Sequence, residues 1–266
     1  MLDSFNRRIN YLRISVTDKC NLRCRYCMPE EGIPLMSHDE ILSFEQIVEI
    51  VKKGVELGMN KVRLTGGEPL VRKKIINLVS MIGEINGITD FAMTTNGILL
   101  KKYAKDLFLA GLHRVNISLD TLDPKRYSEI TRGGNLNDVL DGIKAAGNAG
   151  LNPIKLNCVV KKSSSESDAR LVFEYAKKHK LEVRFIREMN ISKGLFWVVE
   201  GGNGGNCNEC NRLRLTCNGV VRPCLFSDCG FDIKETGIEG ALVGAIKNKP
   251  EFGILSTNHK FYNIGG

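Results

Sequence analysis

Apolar residues along the chain gather into short β-branched runs that alternate with longer stretches of helical period. Six runs, at residues 11–16, 61–65, 90–94, 114–119, 154–160 and 182–186, read as strands, each bounded by turn or helix signals. Between them the spacing predicts helices. Ser43-Phe44-Glu45-Gln46 has the form of a capping box, Phe44, Ile47, Val48, Val51 and Val55 then share one apolar face, and Gly58 stands where a terminating glycine belongs. Leu136, Val139, Leu140 and Ile143 repeat the period, as do Leu171, Val172, Tyr175 and Ala176. Strands alternating with helices imply an α/β fold with a parallel sheet. Six such units suit an open, incomplete six-stranded β/α barrel better than a closed eight-stranded one.

In barrels of this kind the chemistry lies at the C-terminal ends of the strands, and the unusual motifs fall there. Cys20, Cys24 and Cys27 follow the first strand, Thr65-Gly66-Gly67-Glu68-Pro69 ends the second, Thr94-Thr95-Asn96-Gly97 the third and Ser118-Leu119-Asp120 the fourth. After residue 189 the composition changes to a Gly- and Asn-rich tract, a cysteine-rich segment and a short helix near 240–247. The expected division is a partial barrel at 1–189, a linker at 190–206 and a small cysteine-rich C-terminal domain at 207–266.

Hydrophobic residues make up 42% of the chain, enough for a large core. No run reaches the ~20 apolar residues of a membrane span, and the N-terminus lacks the apolar core of a secretory leader. A cytoplasmic protein is therefore expected. Of nine cysteines, three lie within 20–27 and five within 207–229, leaving Cys158 alone on an apolar strand. Paired short spacings in a reducing compartment point to metal or redox chemistry rather than disulfides. The net charge of +8 calls for an acidic partner, a polyphosphate or a nucleic acid. The four histidines form no spaced pair, and they read as structural or solvent-facing.

Three thiols within eight residues, with no fourth nearby, would leave one iron of a four-iron cluster open to a small molecule; the competing readings are a chance grouping or an incomplete zinc site. The stretch from Tyr11 to Cys27 followed by Thr65–Gly66–Gly67–Glu68–Pro69 resembles the radical SAM superfamily, and in particular the GTP 3′,8-cyclase family of molybdenum-cofactor biosynthesis. The resemblance runs over nearly the whole chain. It implies a first [4Fe-4S] cluster on Cys20, Cys24 and Cys27, with S-adenosylmethionine (SAM) on its open iron cleaved by one electron to a 5′-deoxyadenosyl radical. It marks Tyr26, Gly67, Ser118 and Met189 as SAM contacts, the glycines letting backbone approach the ligand.

The same resemblance makes Cys207, Cys210 and Cys224 the ligands of a second, auxiliary [4Fe-4S] cluster. The residues themselves leave other readings open, since Cys217 or Cys229 could add a fourth thiolate to a closed cluster or a zinc site. Arg212 and Arg214 would share one face of a strand, and paired guanidiniums suit phosphate oxygens. With Arg13, Arg63, Thr94, Lys155, Arg184 and Leu213 they match the family's GTP-binding positions. Gly265 and Gly266 match a terminal Gly-Gly tail that the family needs for activity. The implied function is a radical SAM lyase that turns GTP into (8S)-3′,8-cyclo-7,8-dihydroguanosine 5′-triphosphate, reduced by a flavodoxin- or ferredoxin-type protein, with a homodimer allowed and neither nucleic acid nor membrane as partner. The alternatives are a radical SAM dehydrogenase or peptide-modifying enzyme and, outside enzymes, an electron carrier or zinc-dependent RNA-binding protein. One departure stands out: only 17 residues separate Met189 from Cys207, where the family has several dozen more.

Overall fold

The computed structural model describes residues 1–257. In chain order the elements are β1 (Tyr11–Ser15), α1 (Phe44–Glu56), β2 (Lys61–Thr65), α2 (Ile75–Gly83), β3 (Asp90–Thr95), α3 (Leu100–Leu109), β4 (Arg114–Ser118), α4 (Pro124–Thr131), α5 (Leu136–Ala149), β5 (Lys155–Val160), α6 (Ser167–Lys178) and β6 (Glu182–Arg187). The chain then adds β7 (Arg212–Leu215), β8 (Val220–Arg222), β9 (Phe231–Asp232) and α7 (Ile233–Lys247). All six strands and the three helices expected from periodicity are present. Gln46 N donates to the Ser43 hydroxyl and Ser43 N to the Gln46 side chain, so the capping box starts α1 as its sequence requires.

One nine-stranded sheet runs β6-β5-β4-β3-β2-β1-β7-β8-β9, with β6 and β9 at opposite edges, so the barrel is open. Strands β1 to β6 are parallel to their neighbours, and β7 lies parallel to β1 on its other side. The hairpin β7–β8–β9 continues antiparallel. The cysteine-rich segment is thus built directly onto the first strand.

The two faces of the sheet differ sharply. Leu12, Ile14, Val62, Leu64, Phe91, Met93, Val115, Ile117, Leu156, Cys158, Leu213 and Leu215 point to the helical side and lie in one continuous core. Their neighbours at alternate positions are Tyr11, Arg13, Lys61, Arg63, Asp90, Thr94, Arg114, Asn116, Lys155, Asn157, Arg184, Arg212 and Arg214. A closed barrel fills this inner face with branched apolar side chains. Here it is mostly polar and strongly cationic, with Ala92, Val159 and Ile186 as apolar exceptions.

The Gly- and Asn-rich tract after β6 packs back on that strand. Phe185 and Glu200 exchange backbone hydrogen bonds, Trp197 stacks 3.8 Å beneath the Arg187 guanidinium, and Asn203 O accepts from Arg212. A Cβ on Gly201 would meet Val183 O at 2.4 Å, so side chains are excluded where this loop closes over the sheet. His113 accepts the Phe91 N–H and His179 stacks on Tyr175, both structural, while His38 is exposed and His259 lies outside the described residues. No helix among the described residues is long and apolar enough to cross a membrane.

Helix α5 shows how closely the frame meets the strand ends. A Cβ on Gly142 would fall 2.4 Å from Gly97 O, in the turn that follows β3, whereas one on Gly147 finds only Ile154 Cδ1 at 3.8 Å. Gly142→Ala should therefore lower the unfolding free energy by about 1–3 kcal/mol. Gly147→Ala, in the same helix, should raise it by about 0.5–1 kcal/mol. Urea unfolding of the two variants against the parent checks both signs.

Candidate functional site

The first cysteine loop is zipped onto the turn that follows β2. Gly67 N donates to Thr17 O and Glu68 N to Lys19 O, each at 2.8 Å. The approach is so close that a Cβ on Gly66 would lie 2.5 Å from Thr17 O, and one on Gly67 2.3 Å from Lys19 O. The two glycines are therefore demanded first by the cysteine loop itself. Any role in letting a ligand approach comes on top of that packing. Arg72 braces the same loop by donating to Val16 O and Leu42 O.

Glu68 is fully withdrawn from solvent, 1% exposed, beneath this turn. Its carboxylate accepts from Leu70 N, the Thr95 hydroxyl and Asn96 N, at 3.0, 2.8 and 2.7 Å. One carboxylate thus joins the ends of β2 and β3, and the Asn96 side chain in turn donates to Asn21 Oδ1. In the sequence Glu68 is visible only as part of the Gly-Gly-Glu-Pro motif that ends β2. Across the loop, the Tyr26 hydroxyl donates to Asp120 Oδ2 at 2.9 Å and Val159 N to Asp120 Oδ1 at 2.8 Å. Asp120, like Glu68, is a buried carboxylate that the sequence placed in a strand-end motif without giving it a role. Burial pushes it up to about 6 despite those hydrogen bonds.

Cys20, Cys24 and Cys27 are free and half-buried. Burial, then Asp120 and the other two thiols, push Cys24 up to about 12, and burial and Cys20 push Cys27 to about 11. Three thiolates cannot stand together there without positive charge among them. Among the described residues no three Cys, His, Asp or Glu side chains gather about a single ion's position, so the fit rests on the donors. Three convergent thiols that repel one another as anions, in a loop locked by backbone hydrogen bonds, fit an iron–sulfur cluster.

The second group assembles where β7 and β8 meet the chain ends. Cys210 and Cys224 feel each other and share the Lys249 ammonium. Burial opposes ionisation of Cys210, but Lys249 and Arg212 outweigh it and pull the thiol down to about 7. Cys207 is tied in through its carbonyl, which accepts from Arg7 at 2.8 Å. Cys217 is elsewhere: it is buried behind Met36, 3.6 Å from its sulfur, and senses Asp18 and Arg72. Cys229 neighbours Arg222. Met189 packs with Ile191, Phe196, Leu225, Phe226 and Cys224, a small apolar cluster linking the end of β6 to this group. Ser118 ends β4 opposite Asn157.

Between the two cysteine groups lies the polar face. Register places Arg214, Arg13 and Arg63 side by side on three adjacent strands. Arg63 is 5% exposed. Burial lowers the affinity of Arg13 for its proton, and Arg214, Arg63 and Arg212 lower it further; Arg214 is brought down to about 10 by burial and Arg212. Arg184 is lowered by burial and Arg114. Lys155, also expected here, is paired with Glu182. Arg114 forms a bidentate pair with Asp90 and donates to Asn116 Oδ1, an arrangement that sequence reading missed. Leu213 turns its side chain into the core, so only Arg212 and Arg214 of that triplet present side chains to this face. Among the described residues, Arg63 Nε, Arg184 Nε, Thr65 Oγ1, Thr94 Oγ1, Asn116 Nδ2 and Asn157 Oδ1 are buried without a hydrogen-bond partner. Gly265 and Gly266 lie outside the described residues.

Comparison with known proteins agrees with this geometry. The radical SAM superfamily profile matches residues 14–176. The GTP 3′,8-cyclase of Thermodesulfovibrio yellowstonii is 44% identical over 97% of this chain and 94% of its own length. That of Alkaliphilus oremlandii is 41% identical over 100% of this chain and 98% of its own, in an alignment of 314 positions against the 266 residues here. Among solved structures, SuiB of Streptococcus suis bound to S-adenosylmethionine superimposes with a TM-score of 0.61 at 17% identity, covering 93% of this chain and 65% of that one. The enzyme anSMEcpe with bound AdoMet gives 0.59 at 16% identity, covering 91% and 81%. These two likenesses speak to the fold.

Glu68 yields a pH signature. Burial raises it from 4.5 to about 7 against its three hydrogen bonds. As pH climbs through this window the unfolded chain releases the proton first, so the folded state binds more protons and loses stability with rising pH. The loss is at most about 3 kcal/mol, fully felt above pH 7. Glu68→Gln, which cannot ionise, should gain on the parent by up to that amount between pH 4.5 and 7.5. Urea unfolding of the cluster-free proteins across this range measures the difference; a constant gap would contradict it.

Proposed function

The chain belongs to the radical SAM superfamily and, within it, to the GTP 3′,8-cyclase family, and from that premise we propose that it converts GTP to (8S)-3′,8-cyclo-7,8-dihydroguanosine 5′-triphosphate, the first step of molybdenum-cofactor biosynthesis. The observation that carries this reading is the cationic row Arg214–Arg13–Arg63 on the inner face. Like charges set on adjacent strands repel one another, and a bound polyanion offsets that repulsion. A triphosphate supplies several negative charges and acceptor oxygens that match guanidinium forks. Arg184 and Arg212 extend the row, and the loop around Gly201 to Asn203, packed on Arg184 and Arg212, limits water at that end.

The orphaned hydrogen-bonding groups fit the remainder of a nucleotide. Thr94 Oγ1, Asn116 Nδ2 and Asn157 Oδ1 stand on the same face, between the cations and the first cysteine loop. They supply the donors and acceptors that a sugar needs there, and Arg114, fixed by Asp90, holds the Asn116 amide in its orientation. Cys20, Cys24 and Cys27 would hold the first cluster, and Cys207, Cys210 and Cys224 the second. With SAM bound, the first cluster supplies one-electron radical chemistry. Glu68, a buried carboxylate with no cation beside it among the described residues, suits the ammonium of SAM. Tyr26, oriented by Asp120, forms one wall, and Gly67, Ser118 and Met189 line the approach. Gly265 and Gly266, outside the described residues, are assigned the family's activity-requiring Gly-Gly role, and a flavodoxin- or ferredoxin-type protein delivers the electron.

Anaerobic reconstitution followed by SAM, reductant and GTP tests this directly. The expected products are 5′-deoxyadenosine and the cyclised nucleotide together; 5′-deoxyadenosine without the nucleotide would defeat the GTP assignment. Arg63→Ala should weaken GTP binding about 10- to 100-fold, the worth of one charged hydrogen bond. SAM binding to the same variant should be unchanged.

A further inference from the structure

Two buried cations brace the second cysteine group from opposite ends of the chain. Arg7, 8% exposed, is anchored by Asp3, Nε to Oδ2 at 2.6 Å. Its remaining donors reach Cys207 O and Glu251 O, both at 2.8 Å, and Pro250 O at 2.7 Å. The N-terminal turn thereby grips both the first cysteine of the group and the segment after α7. That segment carries Lys249, which is 3% exposed. Its Nζ donates to Arg212 O at 2.8 Å and Pro223 O at 2.6 Å, and its charge acts on the Cys210 and Cys224 thiols.

The placement is specific to the sulfurs. Arg212 lies two residues after Cys210, and Pro223 immediately precedes Cys224. One side chain therefore ties together the two strands that present these cysteines. Burying an ammonium costs several kcal/mol, and two neutral carbonyls do not repay it. Anionic sulfur does.

We propose that Lys249 is a positioning residue of the second iron–sulfur site, which fixes the spacing of Cys210 and Cys224 through the Arg212 and Pro223 carbonyls beside them and tunes the bound cluster through its buried positive charge. Charge and burial are among the determinants of a cluster's reduction potential, and a nearby cation stabilises the more negative, reduced form. This rests on the reading of Cys207, Cys210 and Cys224 as cluster ligands. Asp3 and Arg7 form the outer brace of the same cradle.

The test reconstitutes the full-length parent, Lys249→Met and Lys249→Arg anaerobically, counts iron and follows each cluster by electron paramagnetic resonance during a redox titration. The first cluster, whose signal responds to SAM, reports independently on folding. The parent should bind about eight irons, as two four-iron clusters require. Lys249→Met should keep the SAM-responsive signal while the second cluster is lost or titrates at a lower potential. Lys249→Arg, cationic but with its donors placed differently, should load both clusters with the second one shifted. Both clusters present in Lys249→Met at the parent's potentials would overturn the proposal. If Lys249→Met loses the first cluster too, the decision passes to Lys249→Arg, where an unshifted second potential overturns it. A parent that binds only about four irons would instead remove the second cluster itself, and the inference with it.

Discussion

The structure depends on the contact between two loops, the cysteine loop after β1 and the glycine turn after β2. The parallel pairing of these strands brings their C-terminal ends side by side, and the backbone hydrogen bonds from Gly67 and Glu68 continue the ladder past the strands into the loops. No side chain fits at Gly66 or Gly67, so the approach is set by backbone alone. Everything at the radical-generating end is hung from this seam. Glu68 extends it to β3, and the Tyr26–Asp120–Val159 chain carries it to β4 and β5. Thiols held this way are positioned by the backbone of the two loops.

The second constraint is the division of the sheet into an apolar and a cationic face. The continuous core behind the strands supplies the stability that the inner face spends on gathering arginines. Burial and mutual repulsion lower the proton affinity of Arg13, Arg63, Arg184 and Arg214 together. The shortened segment before Cys207 does not leave the sheet bare at β6, because the Gly-rich loop pairs with Phe185 and lies over Arg184 and Arg212.

Much of this was legible in the sequence where the signal is local. Period-2 and period-3.6 patterns marked the strands and helices, and the spacing of Cys20, Cys24 and Cys27 marked a cluster loop. The pairing of Arg212 and Arg214 on one face follows from strand alternation alone. What was not legible depends on distant partners. Nothing near residue 212 says that its strand lies against β1, yet that register sets Arg214 beside Arg13. Glu68 reads as a turn residue until the third strand closes over it. Lys249 sits in a lysine-containing helix end and would pass for a solvated charge, because the loops that bury it lie 26 and 37 residues away. Cys217 shares a sequence neighbourhood with the second cysteine group, but the turn after β7 sends it behind the sheet to Met36.

The central claim is that the two halves of the inner face act on one molecule, the arginines holding its phosphates while its sugar faces the cluster loop. The most direct measurement uses GTP carrying deuterium at the ribose 3′ carbon and follows the label in the 5′-deoxyadenosine released. Deuterium appearing there shows that the hydrogen removed is the one this placement presents. Unlabelled 5′-deoxyadenosine formed from GTP at an undiminished rate would contradict the account.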